Sequence, residues 1–306
     1  MTDHIEGAPS TMHPTVAKLV EEVRDLPMSM SETLPAVIEA CDNADTSVND
    51  LTGLISADQS LVAMLLKLAN SAYYGYARRI ETLPEAIVLL GFSTIKSLAI
   101  TATTMNLLFQ SEDELSEVRH EIWSHSLGVG VAARALARKR GNIHPEKAFV
   151  AGLLHDLGMI ILSVYRKDEF LTVLSTAQDR GITYEQAELD VMGFSHAELG
   201  AQVAEAWSFP ATHCEAIRCH HDPASATLQQ GLAQVAHLAD WMVVDLGVGK
   251  LVECEQPEPD EQALAEFRIP RKDLPRVVES LRRLFAESDA FMPEGSSSSA
   301  PMKEAM

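Results

Sequence analysis

Basic residues are scarce in this sequence: 24 lysines and arginines stand against 44 aspartates and glutamates, a net charge of −20. So acidic a chain repels a phosphate backbone, which argues against general nucleic-acid binding. Cysteine is scarcer still. Cys41, Cys214, Cys219 and Cys254 are irregularly spaced, which excludes a disulfide framework and suits reduced cytosolic thiols. No uninterrupted apolar stretch of about 18 residues is expected, and the polar, acidic N-terminus does not resemble a signal peptide. The expectation is a cytoplasmic protein with no membrane insertion. Alternation of β-branched residues is also missing, which disfavours a sheet.

What the chain does have is 46% hydrophobic residues, only 6% of all residues being aromatic, spread over 306 positions. That is ample for a core. Nearly every segment between the ends has helical periodicity, so the fold class is all-α, a compact multi-helix domain. Residues 1–14 are polar, carry Gly7, Pro9 and Pro14, and read as a disordered N-terminus. The domain is expected over 15–252, followed by an acidic loop with two prolines at 253–262. An amphipathic helical segment covers 263–290, with Val278, Leu281 and Leu284 inward, and a low-complexity disordered tail covers 291–306.

Local signals mark several helix ends. Thr82 with Glu85 forms a capping box and Gly91 a stop, with the next helix restarting after Ser93. Ile122, Ser126, Val129, Ala133 and Leu136 make one small-apolar stripe that ends at Gly141. Pro145 opens a helix that runs through "GLLHDLGMIIL", and Ser195 with Glu198 opens another. Asn70, Ser71 and Gly75 read as a helix exit. The pair of helices around Gly91 could suggest a helix-turn-helix, but the second offers Lys96 as its lone cation beside Ile95, Leu98 and Ile100, so core packing is preferred. Arg134 and Arg138 share a helix face that reads as solvated, and Cys214 and Cys219 read as core thiols.

The chemistry lies in an ordered set: His125, then His155-Asp156, His196, His220-His221 and Asp240. A carboxylate inside an apolar run is costly unless something pairs with it. A metal, a substrate phosphate and a hydrogen-bonded core pair are the candidates for what Asp156 faces. Imidazoles and carboxylates suit Fe, Mn or Zn, and one carboxylate can bridge two cations. A lone helical histidine is ordinarily a surface or hydrogen-bonded core residue, and His4, His13, His120, His144, His213 and His237 read that way.

The segment "LLKLANSAYYGYARRIETLPEAIVLLGFSTIKSLAIT" (65–101) resembles the hallmark of the HDOD family, the HD-related output domain of bacterial signalling. "AFVAGLLHDLGMIIL" (148–162) and "SHAELGAQVAEAWSFPATHCEAIRCHHDP" (195–223) also match it, and the likeness covers about 26–245. The resemblance implies an HD-superfamily fold, with His125, His155, Asp156 and Asp240 at one metal and His196, His220 and His221 completing a second with bridging Asp156. Glu121 would be an extra ligand. It implies work through protein–protein contacts with histidine kinases, response regulators or cyclic-di-GMP enzymes. The alternative is an active metal-dependent phosphohydrolase or phosphodiesterase on a nucleotide or cyclic dinucleotide, with Asp156 and His155 catalytic. Two departures speak against it. Met159 stands where related phosphodiesterases carry a phosphate-contacting lysine, and no Gly-Tyr-Pro segment follows His221.

Overall fold

Sixteen α-helices follow one another among the described residues, with no strand. The computed structural model describes residues 12–24, 33–76, 78–109, 113–254 and 256–286. The disordered stretches expected at 1–14 and 291–306 lie outside these except for residues 12–14, the last of which, Pro14, opens the first helix.

The first half is a layer of α1 (Pro14–Arg24), α2 (Thr33–Asp42), α3 (Val48–Ser56), α4 (Gln59–Ala69), α5 (Leu83–Leu90) and α6 (Phe92–Leu108). The second half begins with α7 (Ser116–Arg140), α8 (Pro145–Leu154), α9 (Leu157–Tyr165), α10 (Lys167–Arg180) and α11 (Tyr184–Met192). It continues with α12 (His196–Ala206), α13 (Ala211–Arg218), α14 (Gln230–Asp245), α15 (Glu261–Glu266) and α16 (Leu274–Ala286). Helix α7 separates two cores. Its Trp123, Leu127 and Val131 join the apolar cluster of α1–α6, α9 and α12, and its Val129, Ala133 and Leu136 join that of α14–α16. A helix apolar on both sides is buried on both sides.

Capping explains where the elements start. Thr82 accepts from the Glu85 N–H at 3.4 Å, though the Glu85 carboxylate turns back to the Glu81 N–H instead of completing the box. Ser195 accepts from the Glu198 N–H, and Gly141 closes α7 in the left-handed conformation. Helix α6 begins at Phe92, directly after Gly91 (φ 79°), rather than after Ser93. It is almost wholly buried, and its Lys96 pairs with Asp42, so it is a core helix as expected. The Asn70 side chain donates to Leu66 O and Ile80 O and accepts from Ile80 N at 2.7 Å, stapling the hallmark loop shut.

Two expectations are corrected. The stretch Pro145–Tyr165 is long and apolar enough to pass for a membrane span, but 89% of its most apolar window is buried inside the fold. It is also two helices, broken at His155 and Asp156. The Nδ1 of His155 donates to Gly152 O at 2.7 Å, a carbonyl that an unbroken helix would reserve for the Asp156 N–H. Arg134 is not solvated: it is buried, paired with Glu146 and stacked 5.2 and 5.3 Å from the Tyr73 and Tyr74 rings, leaving Arg138 and Lys139 exposed. The expected 263–290 segment consists of α15, a short 3-10 turn and α16, whose Val278 and Leu281 are buried, with 287–290 outside the described residues.

Candidate metal centre

Five elements deliver the seven residues to one place. His125 projects from the middle of α7, His155 and Asp156 from the α8–α9 break, and His196 from the first turn of α12. His220 and His221 follow α13, and Asp240 lies on α14. Helices α9 and α12 meet at Gly158, where an added Cβ would lie 2.0 Å from His196 O. Only a residue without a side chain allows that approach, which sets His196 beside Asp156.

Asp156 stands between two groups. Its Oδ2 lies 3.1 Å from His155 Nε2 and 3.7 Å from His125 Nε2, and His125 Nε2 is 3.1 Å from Asp240 Oδ1. Its Oδ1 lies 3.3 Å from His196 Nε2 and 3.8 Å from His220 Nε2. His196 Nε2 is in turn 3.3 Å from His220 Nε2 and 3.0 Å from His221 Nε2. Ligand atoms held ~2.1 Å from one ion stand roughly 3–4 Å apart, so these separations fit metal coordination. His221 is the exposed member of its trio.

The tautomers make the fit more specific. His125 Nδ1 faces Val248 O at 3.2 Å, His155 Nδ1 faces Gly152 O, and His220 Nδ1 faces Ile217 O at 2.7 Å. A carbonyl only accepts, so each Nδ1 must carry the proton. His196 Nδ1 likewise donates to Glu188 Oε2 at 2.6 Å. In the neutral rings all four Nε2 atoms then present bare lone pairs to one another and to two carboxylates. Such a cluster requires protons or cations between its members.

The titration behaviour shows the same demand. Burial works against the Asp156 charge, yet the His155 and His196 rings hold its carboxyl well below the usual range. Burial also opposes charge on His125, but the hydrogen bond and charge of Asp240, with Asp156 behind, carry it up to about 9. Glu188 and Asp156 overcome burial to raise His196 well above an ordinary imidazole. Burial and the neighbouring imidazoles push His220 well below it.

Several contributors were missed in the sequence. Glu188 is fully buried, and besides orienting the His196 ring its Oε2 accepts from the His196 backbone N–H at 2.8 Å. Its only trace is an acidic letter eight residues before His196. His237, read as an ordinary histidine, is fully satisfied by His220 O and the Asp260 N–H, and it ties the HH turn to the acidic loop. That loop, expected outside the domain, walls a cavity of about 280 Å³ over the centre, with Cys254, Gln256 and Pro257 in its lining. Gly249 (φ 63°) brings the chain there; a Cβ on it would stand 2.4 Å from His125 Cβ. Met159 lines the same cavity, as does Lys250. Glu121, the expected extra ligand, is exposed and belongs to none of the three ligand groups found among the described residues.

An all-helical domain holding paired His/Asp ligand groups around one carboxylate belongs with the HD-type proteins. The chain is a member of the HDOD family, whose domain matches residues 26–223. An HDOD domain protein of Geobacter sulfurreducens has the same fold, with TM-score 0.74 and 26% identity over 90% of this chain and 98% of that one. A candidate phosphohydrolase of Shewanella amazonensis SB2B shares the fold at TM-score 0.69 and 24% identity, covering 90% and 97%. An uncharacterized protein of Treponema pallidum (strain Nichols) is 28% identical over 207 residues, 67% of this chain. The chain spans only 39% of that protein's length.

Proposed function

We propose that this chain is a divalent-metal-binding HDOD module of cytoplasmic bacterial signalling that acts mainly through protein partners. The observation that carries the metal reading is the lone-pair geometry: donor-locked Nδ1 atoms leave the Nε2 atoms converging on both oxygens of Asp156. His125, His155, Asp156 and Asp240 would hold one ion of the Fe, Mn or Zn class, and Asp156, His196, His220 and His221 a second. Such an ion supplies Lewis acidity and polarises bound oxygen. The protein's own residues orient the ligands: Glu188, Val248 O, Gly152 O and Ile217 O fix the four rings, and Met159 adds apolar surface to the cavity beside them. Histidine kinases, response regulators and cyclic-di-GMP enzymes are the proposed partners.

A second reading, a phosphohydrolase with Asp156 and His155 in the reacting centre, is favoured by the cavity that opens onto Asp156 and, beside it, His125, His196, His221 and Asp240. Met159 weighs against it, since a thioether gives a transferring phosphoryl group no charged donor. Metal analysis of purified protein together with cyclic di-GMP hydrolysis in added Mn or Fe separates the readings. Bound metal with at most weak turnover is expected. Robust turnover that vanishes in Asp156→Ala would establish the hydrolase, and absence of metal uptake would end the metal reading.

A further inference from the structure

We propose that the cavity over the metal centre receives a small molecule with one oxyanion head, a carboxylate or phosphate monoester, on an aromatic or apolar body. The head half of this inference rests on the metal reading above; the body half rests on the cavity wall alone.

The size sets the first limit. At about 280 Å³ the cavity falls just below the roughly 300–1,000 Å³ of drug-sized sites, so it suits one ring and a short head. The wall sets the second. Ile122, Met159, Trp241, Val244, Leu251 and Pro257 present aliphatic, thioether and indole surface above the imidazole floor. Trp241 is held in place: its Nε1 donates to Pro257 O at 2.8 Å and its carbonyl accepts from Gln256 Nε2 at 2.8 Å. An anchored indole and a polarizable thioether in one lining favour a flat apolar partner.

Charge sets the third limit. Lys250 is the one lysine or arginine in the lining, whereas Glu185, Glu258, Asp156 and Asp240 are all there. The Lys250 Nζ is itself paired with Glu253 Oε2 at 2.7 Å, so the cavity has one shared cation to offer an anionic head. Each further phosphate would face carboxylates with no cation to meet it. A neutral donor lies beside the head site: Tyr184 is among the lining residues, and its buried hydroxyl has no hydrogen-bond partner among the described residues. It would otherwise be a buried donor left unpaired, which is costly, and an oxyanion oxygen would satisfy it.

Calorimetric titration of the full chain tests this, with Mn²⁺ loaded or with chelator. The probes are phenyl phosphate, benzoate, inorganic phosphate, ATP and cyclic di-GMP. Phenyl phosphate is expected to bind at least about tenfold more tightly than inorganic phosphate, and more tightly than ATP or cyclic di-GMP. The comparison with benzoate tells which head the site prefers. Trp241→Ala should abolish the margin of phenyl over inorganic phosphate; if that variant does not fold, Leu251→Asn at the facing wall should do the same. Equal affinity for phenyl and inorganic phosphate, or tighter binding of ATP or cyclic di-GMP, overturns the inference. A Mn²⁺ titration on the same sample reports the metal reading separately. Metal binding without the phenyl margin sinks the cavity inference alone, and a phenyl margin without metal binding sustains it while the metal reading falls.

Discussion

Replacing Asp156 by asparagine removes one charge and almost no volume, which makes it the sharpest probe of the centre. In the folded chain its two oxygens touch four imidazole nitrogens at 3.1–3.8 Å, so it is the only group shared by both ligand sets. Losing a mere orienting partner of a ligand costs about 10–100-fold in metal affinity. Losing the shared ligand itself should cost at least about 100-fold, or ~2.7 kcal/mol of metal-dependent stability. For a chain of this size that is a fall of roughly 4–5 °C in the metal-loaded Tm. The chelated protein should respond far less. There the amide needs no counter-charge, and His125 keeps Asp240 at 3.1 Å, so a loss below about 2 kcal/mol is expected. If Asp156 is instead a structural ion-pair partner, the chelated protein should lose ~3 kcal/mol or more. Thermal melts of wild type and Asp156→Asn, each with and without chelator, decide it. The reasoning fails if chelator leaves the wild-type Tm unchanged while Asp156→Asn lowers it strongly in both conditions.

The other predictions reach outward from that residue. Glu188→Gln keeps the shape but weakens the hold on His196, and metal titration should show affinity down about tenfold or more. Gly249→Ala forces a Cβ onto His125 at a positive φ; a urea melt should register a loss of about 1–3 kcal/mol. His213 is buried, and burial followed by the Lys96 and Lys147 charges lowers it to about 4. Below pH 6.5 the unfolded chain therefore takes up a proton that the folded chain refuses until about 4, so stability falls with pH across that window by up to ~3 kcal/mol. His213→Gln should flatten that part of the stability profile, and an unchanged slope would show that His213 is not its source. Arg134→Ala strands the buried Glu146 carboxylate and should cost about 3–5 kcal/mol, whereas the double change Arg134→Met with Glu146→Leu should recover most of it.

The ligands were legible and their supports were not, and the difference is physical. His125, His155, Asp156, His196, His220, His221 and Asp240 form an ordered set of His and Asp letters, with His155-Asp156 inside an apolar run, and that pattern is visible in one dimension. The all-α class was legible for a related reason, because helix periods and caps such as Ser195 act within four residues of one another. Glu188 and Val248 O act on rings eight and 123 residues away, and a glutamate in α11 or a backbone carbonyl in a loop looks the same whether or not it orients a histidine. Arg134 was misread because a cation at the apolar face of a helix is solvated by default unless a partner from elsewhere, here Glu146 with Tyr73 and Tyr74, comes to cover it.

The break at His155-Asp156 shows why a helical reading could be nearly right and still mistake how the pair works. In a continuous helix the two side chains would diverge by about 100°, and one of them would leave the centre. The chain avoids this by ending α8 at Leu154 and letting Asp156 take φ −96°, ψ 22°. His155 then locks its ring to the carbonyl three residues back, and His220 repeats the arrangement with Ile217 just past the end of α13. Two helix ends thus present two donor-locked imidazoles to the same carboxylate. Ends are where backbone carbonyls lack an intrahelical partner, so a ring N–H can satisfy one at no cost to the helix. The same bond removes the ring's choice of tautomer. His155, Asp156, His220 and His221 are thus ligands made by helix ends, whereas His125 and Asp240 stand within α7 and α14; substitutions that extend α8 through Asp156 should damage the centre without touching any ligand atom.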